Sequence, residues 1–299
     1  MTRATTRLAA LLVTSAVGLA GCGTDDPQAD DPAPAGHTGK PTKQGSPSQE
    51  PAPSQSGSSG TPATVAVPLY FVGDTPQGPR LFREFQQVQA DNPVDEALAI
   101  LTAGAANDPD YSSLLPDGPA PTLVQGDSSA AIGVNVPVDW ADMPADMSAK
   151  EATLAIQQIV FTVQGALQSR APVEFYSDGL TPLFGIDKST WKSSQAVLAL
   201  VNVTQPEQDS QPGATFTASG VANSFEATVP WEIRDQSGTK VLQGFATAEG
   251  WGDHLYPWQA PVDASSLAPG TYTFVAMTDD ASDGEGGGPT EDSKTFTLH

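Results

Sequence analysis

The chain has 299 residues and is strongly acidic, because 35 Asp and Glu outnumber 13 Lys and Arg and give a formal net charge of −22. This charge argues against binding to nucleic acid, which needs clustered basic side chains, and against adsorption to anionic lipids. The one cysteine, Cys22, excludes a disulfide within the chain, so the fold must depend on apolar packing.

The N-terminus has the pattern of a secretory signal. Two arginines precede an apolar stretch over residues 8–19, which is too short to span a bilayer. Residues 19–22, Leu-Ala-Gly-Cys, resemble the lipobox of bacterial lipoproteins, in which the chain is cut before the cysteine and its thiol receives a diacylglyceryl group. The resemblance implies a signal peptide over 1–21, lipid attachment at Cys22 and anchoring at the outer face of the cytoplasmic membrane. The alternative is a cleaved signal with an incidental cysteine, which would leave a secreted protein with a reactive free thiol.

Residues 22–64 are predicted to be a disordered linker that begins with the lipidated cysteine. The segment is rich in Pro, Ser and Gly and contains no aromatic residue, so it has too little apolar surface to offset the entropy of ordering. Such a composition is typical of a semi-extended spacer. We expect it to hold the following domains away from the bilayer.

The composition changes at Val65, where a predicted strand over 65–72 is followed by a turn and a second strand over 80–88. A helix is predicted next, with Asn92 as its N-cap, a proline at its first position and Gly104 at its end.

Further strands are predicted at 122–125 and 130–138, and in the latter the alternation places residues 132, 134, 136 and 138 on one side. Ser148 and Glu151 have the spacing of a capping box that opens a long helix. The apolar stripe of this helix is Ile156, Ile159, Val160, Val163 and Leu167. With a last strand at 172–176, the pattern predicts an α+β domain over 65–190, built from a mixed sheet and two helices.

These segments resemble the GerMN domain of spore-germination and envelope lipoproteins. The resemblance covers about residues 65–187 and depends on apolar positions and turns at 69–71, 97–104, 115–118, 159–163 and 178–179. It implies contact with other proteins, because GerMN domains are similar in fold to small ring-building modules of envelope assemblies. Residues 137–140 depart from the family pattern, which has a simpler polar turn there.

The segment 197–299 is predicted to be an all-β immunoglobulin-like sandwich. Strand-like runs occur at 198–203, 214–219, 226–233, 241–246, 271–277 and 295–298. Trp231 alternates with apolar neighbours and is the expected core tryptophan. Residues 220–233 and 267–272 resemble the immunoglobulin-like domain that accompanies GerMN in germination-associated proteins.

The sequence contains no catalytic signature. His254 is the one histidine expected in a folded region, so a Ser-His-Asp site would have to use it, and a metal site built on His and Cys has too few ligands. We interpret His254 as a loop residue, and we predict neither enzymatic activity nor a cofactor.

Two other groups are candidates for binding. The acidic loop near 279–292 is a weak calcium candidate, although its spacing is not that of an EF-hand and a solvated loop is the alternative. Its candidate ligands are Asp279, Asp280, Asp283 and Glu285. Trp251, Tyr256 and Trp258 form an aromatic cluster that either presents a binding surface for sugar rings or a protein partner, or covers the end of the sandwich.

Together these features predict a lipid-anchored extracytoplasmic interaction or scaffold protein of the bacterial cell envelope. The resemblances suggest spore germination, envelope assembly or signalling as its process. We expect contact with the membrane through the lipid on Cys22 and with an envelope protein, and none with nucleic acid. The alternative is a module that binds peptidoglycan or wall glycans through the aromatic cluster.

Overall fold

The computed structural model describes residues 63–126, 130–177, 182–279 and 287–299. The predicted signal peptide, Cys22 and the linker up to residue 62 therefore lie outside the described residues. So do the turn at 178–179 and, in the acidic loop, Asp280, Asp283 and Glu285. Within the described ranges no helix combines the length and the apolar composition that crossing a bilayer requires.

The first domain begins with an antiparallel ribbon of β1 (Thr64–Gly73) and β2 (Arg80–Gln89), which pair along their whole length. This ribbon is separate from the mixed sheet of the domain. Helix α1 (Pro93–Thr102) follows it and buries its apolar face in the core.

The predicted end of α1 is confirmed, and Asn92 occupies the N-cap position as predicted, followed by Pro93. Gly104 adopts a positive φ of 63°, and its N–H donates to Leu101 O, which ends the helix. The side chain of Asn92 makes no capping hydrogen bond. Instead the first-turn carboxylates hold neighbouring strands: Glu96 Oε2 accepts from Gln89 N at 2.6 Å, and Asp95 Oδ1 accepts from Leu123 N at 2.6 Å.

The mixed sheet has the order β3-β4-β5-β6. Its strands are β3 (Thr122–Gln125), β4 (Ile132–Asn135), β5 (Val173–Tyr176) and β6 (Thr190–Trp191). β4 and β5 are parallel, and the other two pairs are antiparallel. Helix α2 (Ala149–Ala166) connects the parallel pair and begins with the predicted capping box of Ser148 and Glu151. The apolar stripe of α2 packs into the core, so this prediction is confirmed.

The predicted alternation fails at Val138, which is 59% exposed. Ile132 and Val134 are buried as expected, but β4 ends at Asn135 and Pro137 precedes a short 3₁₀ turn over Val138–Trp140. Proline has no N–H to continue the ladder, and the turn directs Trp140 into the core instead of Val138.

The second domain is a sandwich of two sheets, with the orders β10-β9-β12-β13 and β11-β8-β7. Its strands among the described residues are β7 (Val201–Gln205), β8 (Thr215–Ala222), β9 (Thr228–Arg234), β10 (Lys240–Thr247), β11 (Tyr256–Asp263), β12 (Gly270–Met277) and β13 (Glu291–Leu298). Trp231 on β9 is buried and stacks on Phe274, as predicted. An α+β domain followed by a β-sandwich is therefore confirmed.

Strand β11 is absent from the sequence-based assignment because Pro257 and Pro261 interrupt its pattern. The structure accommodates both prolines because β11 is an edge strand, and they alternate with buried residues that face the core. Trp258 is one of these buried residues.

Candidate functional site

The two domains share an apolar seam along the segment that joins them. Ala199 N donates to Leu81 O at 2.9 Å, so the connecting segment is hydrogen-bonded to β2. Leu198 packs in a cluster with Leu81 and Phe161 of the first domain, and Leu255 of the second domain packs against the same cluster. The connection is thus a packed part of the structure.

A buried ionic cluster lies beside this seam and joins the domains by charge. Lys294 Nζ contacts Asp108 Oδ2 at 2.5 Å, Tyr111 Oη at 2.7 Å and Asp292 Oδ1 at 3.2 Å. Tyr111 Oη donates to Asp292 Oδ1 at 2.7 Å. All four side chains are buried, with Lys294 only 3% exposed. Asp108 and Tyr111 belong to the first domain, and Asp292 and Lys294 belong to β13 of the second.

The geometry of β13 explains how two charged residues come to face inward. Alternate residues of a strand point to the same side, so Asp292 and Lys294 share the buried face of β13 with Phe296 and Leu298. The apolar pair packs in the sandwich core, whereas the charged pair lies where the strand meets the first domain. The sequence pattern predicted this strand only over 295–298, so Asp292 and Lys294 were not predicted to face inward.

Backbone and amide donors satisfy the remaining carboxylate oxygens of the interface. Asp292 Oδ2 accepts from Asn202 Nδ2 at 3.0 Å and from Val203 N at 2.5 Å. In the first domain, Glu84 accepts from the N–H groups of Asn107 and Asp108, at 2.8 and 3.2 Å. These bonds hold the loop that carries Asp108 in position, and they offset the desolvation of the carboxylates.

The protonation states follow from the burial of the cluster. Burial disfavours the charge on Lys294, but the carboxylates of Asp292 and Asp108 outweigh it and raise the pKa of the ammonium group. Burial and the same carboxylates raise the pKa of Tyr111 well above its ordinary value. Burial also raises the pKa of Asp292, although Lys294 and the Tyr111 hydroxyl act in the opposite direction. Lys294 is therefore a cation and Tyr111 a neutral donor at neutral pH.

The structure separates the three aromatic residues that were predicted as one cluster. Trp258 is only 2% exposed and stacks on Phe274 in the sandwich core, so its assignment to a binding surface is wrong. Tyr256 is partly buried, and its hydroxyl donates to Asp253. Trp251 is 52% exposed and makes an edge-to-face contact with Phe225, with ring centroids 5.3 Å apart.

The exposed aromatic pair of Trp251 and Phe225 was not found from the sequence. Phe225 stands 26 positions earlier in the chain and is itself 43% exposed. The 3₁₀ turn Phe225–Ala227 before β9 and the loop after β10 come together because β9 and β10 are antiparallel neighbours. An exposed apolar pair of this kind is suited to contact with a partner or a sugar ring.

The other predicted site residues are His254 and the candidate calcium ligands of the acidic loop. His254 is exposed, with Nδ1 2.9 Å from Asp253 Oδ1, and within the described ranges no hydroxyl group is hydrogen-bonded to it. Asp279 is exposed, and its N–H donates to Ser224 Oγ. Among the residues that the structure describes, no three His, Cys, Asp or Glu side chains are grouped to hold a metal ion. The calcium hypothesis stays a prediction, because its other three carboxylates lie outside those residues.

Comparison with protein families identifies both domains. Residues 68–183 match the family described as sporulation and spore germination, and residues 200–285 match the immunoglobulin-like domain of bacterial spore germination. The chain therefore carries a GerMN domain followed by its associated immunoglobulin-like domain, as the sequence resemblance implied. No curated protein matches the chain.

Solved structures with detectable similarity are distant. The tandem GerMN domains of GerM from Bacillus subtilis match with 13% identity and a TM-score of 0.35, over 68% of this chain and 62% of that one. CopC from Methylosinus trichosporium OB3b matches with 21% identity and a TM-score of 0.23, over 33% of this chain and 92% of that one. A thermostable endoglucanase from Alicyclobacillus acidocaldarius matches with 16% identity and a TM-score of 0.21, over 34% of this chain and 15% of that one.

Removal of the central cation should destabilise the protein. Lys294→Met leaves Asp108 and Asp292 buried without a counter-charge, which costs about 3–5 kcal/mol in the free energy of unfolding measured in urea. Lys240→Met is the matched control, because Lys240 is half exposed and pairs with Glu232 at 3.5 Å. We expect the control to change the free energy by less than about 1 kcal/mol. Equal losses in the two variants would contradict the importance of the cluster.

The cluster also predicts a loss of stability in alkali. The ordinary pKa values are 10.0 for tyrosine and 10.5 for lysine, and both Tyr111 and Lys294 are raised above them in the folded state. The folded protein therefore retains these protons longer than the unfolded chain does, so stability is full below about pH 10 and falls as the pH rises further.

The measurement is the thermal unfolding temperature between about pH 8 and about pH 11. Tyr111→Phe should show a shallower alkaline decline than the wild type. Tyr272→Phe, which removes a hydroxyl bound to Ala268 O, should keep the wild-type slope. A Tyr111→Phe profile parallel to that of the wild type would show that this hydroxyl has no part in the decline.

Proposed function

We propose that this chain is a lipid-anchored protein of the bacterial cell envelope that presents its two domains as one interaction module to a protein partner. The observation that carries the proposal is the buried ionic cluster, which joins the GerMN domain to the immunoglobulin-like domain through Lys294. Because charged contacts of this kind are directional and costly to break, they favour one relative position of the domains. A partner would then recognise a surface built from both.

The exposed aromatic pair is the candidate contact point for that partner. Trp251 and Phe225 present two contacting apolar rings at the surface, and tryptophan is among the residues that contribute most at protein interfaces. Neither ring is needed to fill the sandwich core, since Trp231, Trp258 and Phe274 do so.

The surroundings of His254 support a role in binding rather than in catalysis. His254 pairs with an exposed carboxylate at the surface and has no nucleophile hydrogen-bonded to it in the part of the chain that the structure describes. A catalytic base needs a nucleophile or substrate proton within hydrogen-bond reach. We therefore propose a role without chemical turnover.

Binding to wall glycans is the second candidate, and the aromatic pair is the observation that favours it. Exposed rings can stack on the apolar face of a sugar. The net charge of −22 disfavours anionic wall polymers, so a protein partner remains the first proposal.

The lipid anchor is tested by metabolic labelling with a clickable fatty acid. The wild-type chain should become labelled, because the Cys22 thiol begins the pathway by which acyl chains are added. Cys22→Ser should not be labelled, whereas Thr24→Ser, two residues further on, should be labelled as the wild type is. Label that persists in Cys22→Ser would refute attachment at this residue.

The interaction is tested by cross-linking in intact cells, followed by identification of the captured protein. Trp251→Ala should reduce capture by at least about tenfold if the ring is a central contact, since such residues contribute 2 kcal/mol or more. Val124→Ala is the control, because Val124 is an exposed apolar residue of the other domain. Both variants should melt at the wild-type temperature.

A parallel sedimentation with purified insoluble cell wall separates the two candidates. Binding to the cell wall that persists at high salt and is lost in Trp251→Ala would favour wall glycans as the ligand. A chain that stays in the supernatant and still captures one envelope protein would favour the protein partner. Capture that Trp251→Ala leaves unchanged would remove the aromatic pair from the proposal.

A further inference from the structure

A second feature of the interface is an open cleft between the two domains, with a volume of ≈ 630 Å³. The first domain contributes the β1–β2 ribbon and the C-terminal end of α2, and the second contributes Val221, His254 and Leu255. This interdomain cleft lies on a different part of the interface from the ionic cluster, none of whose residues line it.

The charge of the interdomain cleft is opposite to that of the chain. Arg83, Arg170 and His254 line it, whereas none of the acidic residues that the structure describes does. Asp253 contacts His254 from outside the lining. On a protein with a net charge of −22, a concave surface lined by two arginines and by no carboxylate of the described residues is a local site of positive potential, which attracts anions.

The arginines of the cleft are not neutralised by carboxylates of the chain. Among the described residues neither Arg83 nor Arg170 forms an ion pair. Arg83 donates from Nη2 to Thr204 Oγ1 at 3.3 Å and stands 4.9 Å from the ring of Phe85, while its buried Nε has no hydrogen-bond partner. Thr204 and Phe85 line a neighbouring pocket that Arg83 also borders, and Arg170 is exposed. An anion in the cleft would meet two guanidinium groups whose charge no carboxylate of the described residues neutralises.

The remaining lining has the composition of a sugar site. Tyr70 lies opposite Arg83 in the β1–β2 register and packs on Phe161, with ring centroids 4.9 Å apart. Hydroxyl and amide side chains surround this pair, among them Gln168, Ser193 and Gln195. An aromatic face beside amides and hydroxyls matches a sugar ring, whose apolar face and hydroxyl groups need both kinds of contact.

We infer that the interdomain cleft binds an anionic saccharide, with its negative group held by Arg83 and Arg170 and its ring against Tyr70. The site goes beyond the proposed protein partner. It shares a ligand class with the second candidate, binding to glycans, but it is a separate site, because it does not involve Trp251 or Phe225. Residues of both domains line the cleft, so the saccharide can bind only when the two domains keep their relative position.

The experiment is calorimetric titration of the purified full chain with N-acetylmuramic acid, a saccharide that carries a carboxylate. N-acetylglucosamine has the same ring without the carboxylate and is the ligand control. We expect binding of the acid only, weakened as the salt rises from about 50 mM to about 500 mM. Arg170→Ala should weaken binding about tenfold, as expected for loss of a charged hydrogen bond.

Arg80→Ala is the control for the variant, because Arg80 is not among the residues that line the cleft and its Nη1 donates to the backbone oxygen of Pro79. Arg170 is exposed, so its loss should leave the melting temperature unchanged.

Equal binding of both sugars, or of neither, would overturn the inference. If inorganic phosphate bound as tightly as N-acetylmuramic acid, the inference that the cleft recognises a sugar ring would be wrong. None of these outcomes affects capture of a partner through the aromatic pair, so the two proposals fail separately.

Discussion

The relative position of the two domains depends on one buried ammonium group. Lys294 Nζ is shared between a carboxylate of its own strand and a carboxylate and a phenol of the other domain. An apolar seam could slide or tilt at small cost, since hydrophobic contact is not directional. A buried cation cannot move away from its oxygen partners without leaving charges in a medium of low dielectric constant. The cluster therefore acts mainly by favouring one relative position of the two domains, and less by adding to the free energy of unfolding.

The interface uses charge in two opposite ways on its two sides. Around Lys294, the positive charge is paired with two carboxylates, and amide and backbone donors bond to the Asp292 carboxylate. Around Arg83, the positive charge is oriented by a threonine and an aromatic ring, and no carboxylate of the described residues neutralises it. A single domain junction thus provides both a closed contact and an open, electropositive concavity on an acidic protein.

Much of the fold could be read from local patterns. The capping box at Ser148, the helix end at Gly104 and the core position of Trp231 each depend on residues close in sequence, and the structure has them as expected. The GerMN and immunoglobulin-like domains were recognisable by resemblance for the same reason. Strand β11 was missed because proline normally opposes a strand, and only the sheet order reveals that this strand is at an edge.

The candidate sites could be predicted far less well, because they depend on residues distant in sequence. Asp292 and Lys294 continue the alternation of Phe296 and Leu298, a signal that was present but that reads as a solvated acidic loop without the first domain beside it. Trp251 gains its significance from its contact with Phe225. Arg83 gains its significance because no acidic residue in the described part of the chain lines the cleft. Both features depend on residues that are far apart in the chain, so no fixed spacing in the sequence indicates them.

The ionic cluster also sets an order of events during synthesis. Asp108 precedes Lys294 by 186 residues, and Tyr111 precedes Asp292 by 181. A chain emerging from its N-terminus therefore exposes the first domain before the second can dock, and domains generally fold as units in that order. During this interval Asp108 lacks its contact with Lys294, so the face of the first domain that later meets β13 carries an unpaired acidic side chain. The same side chain becomes a buried contact once the second domain has docked.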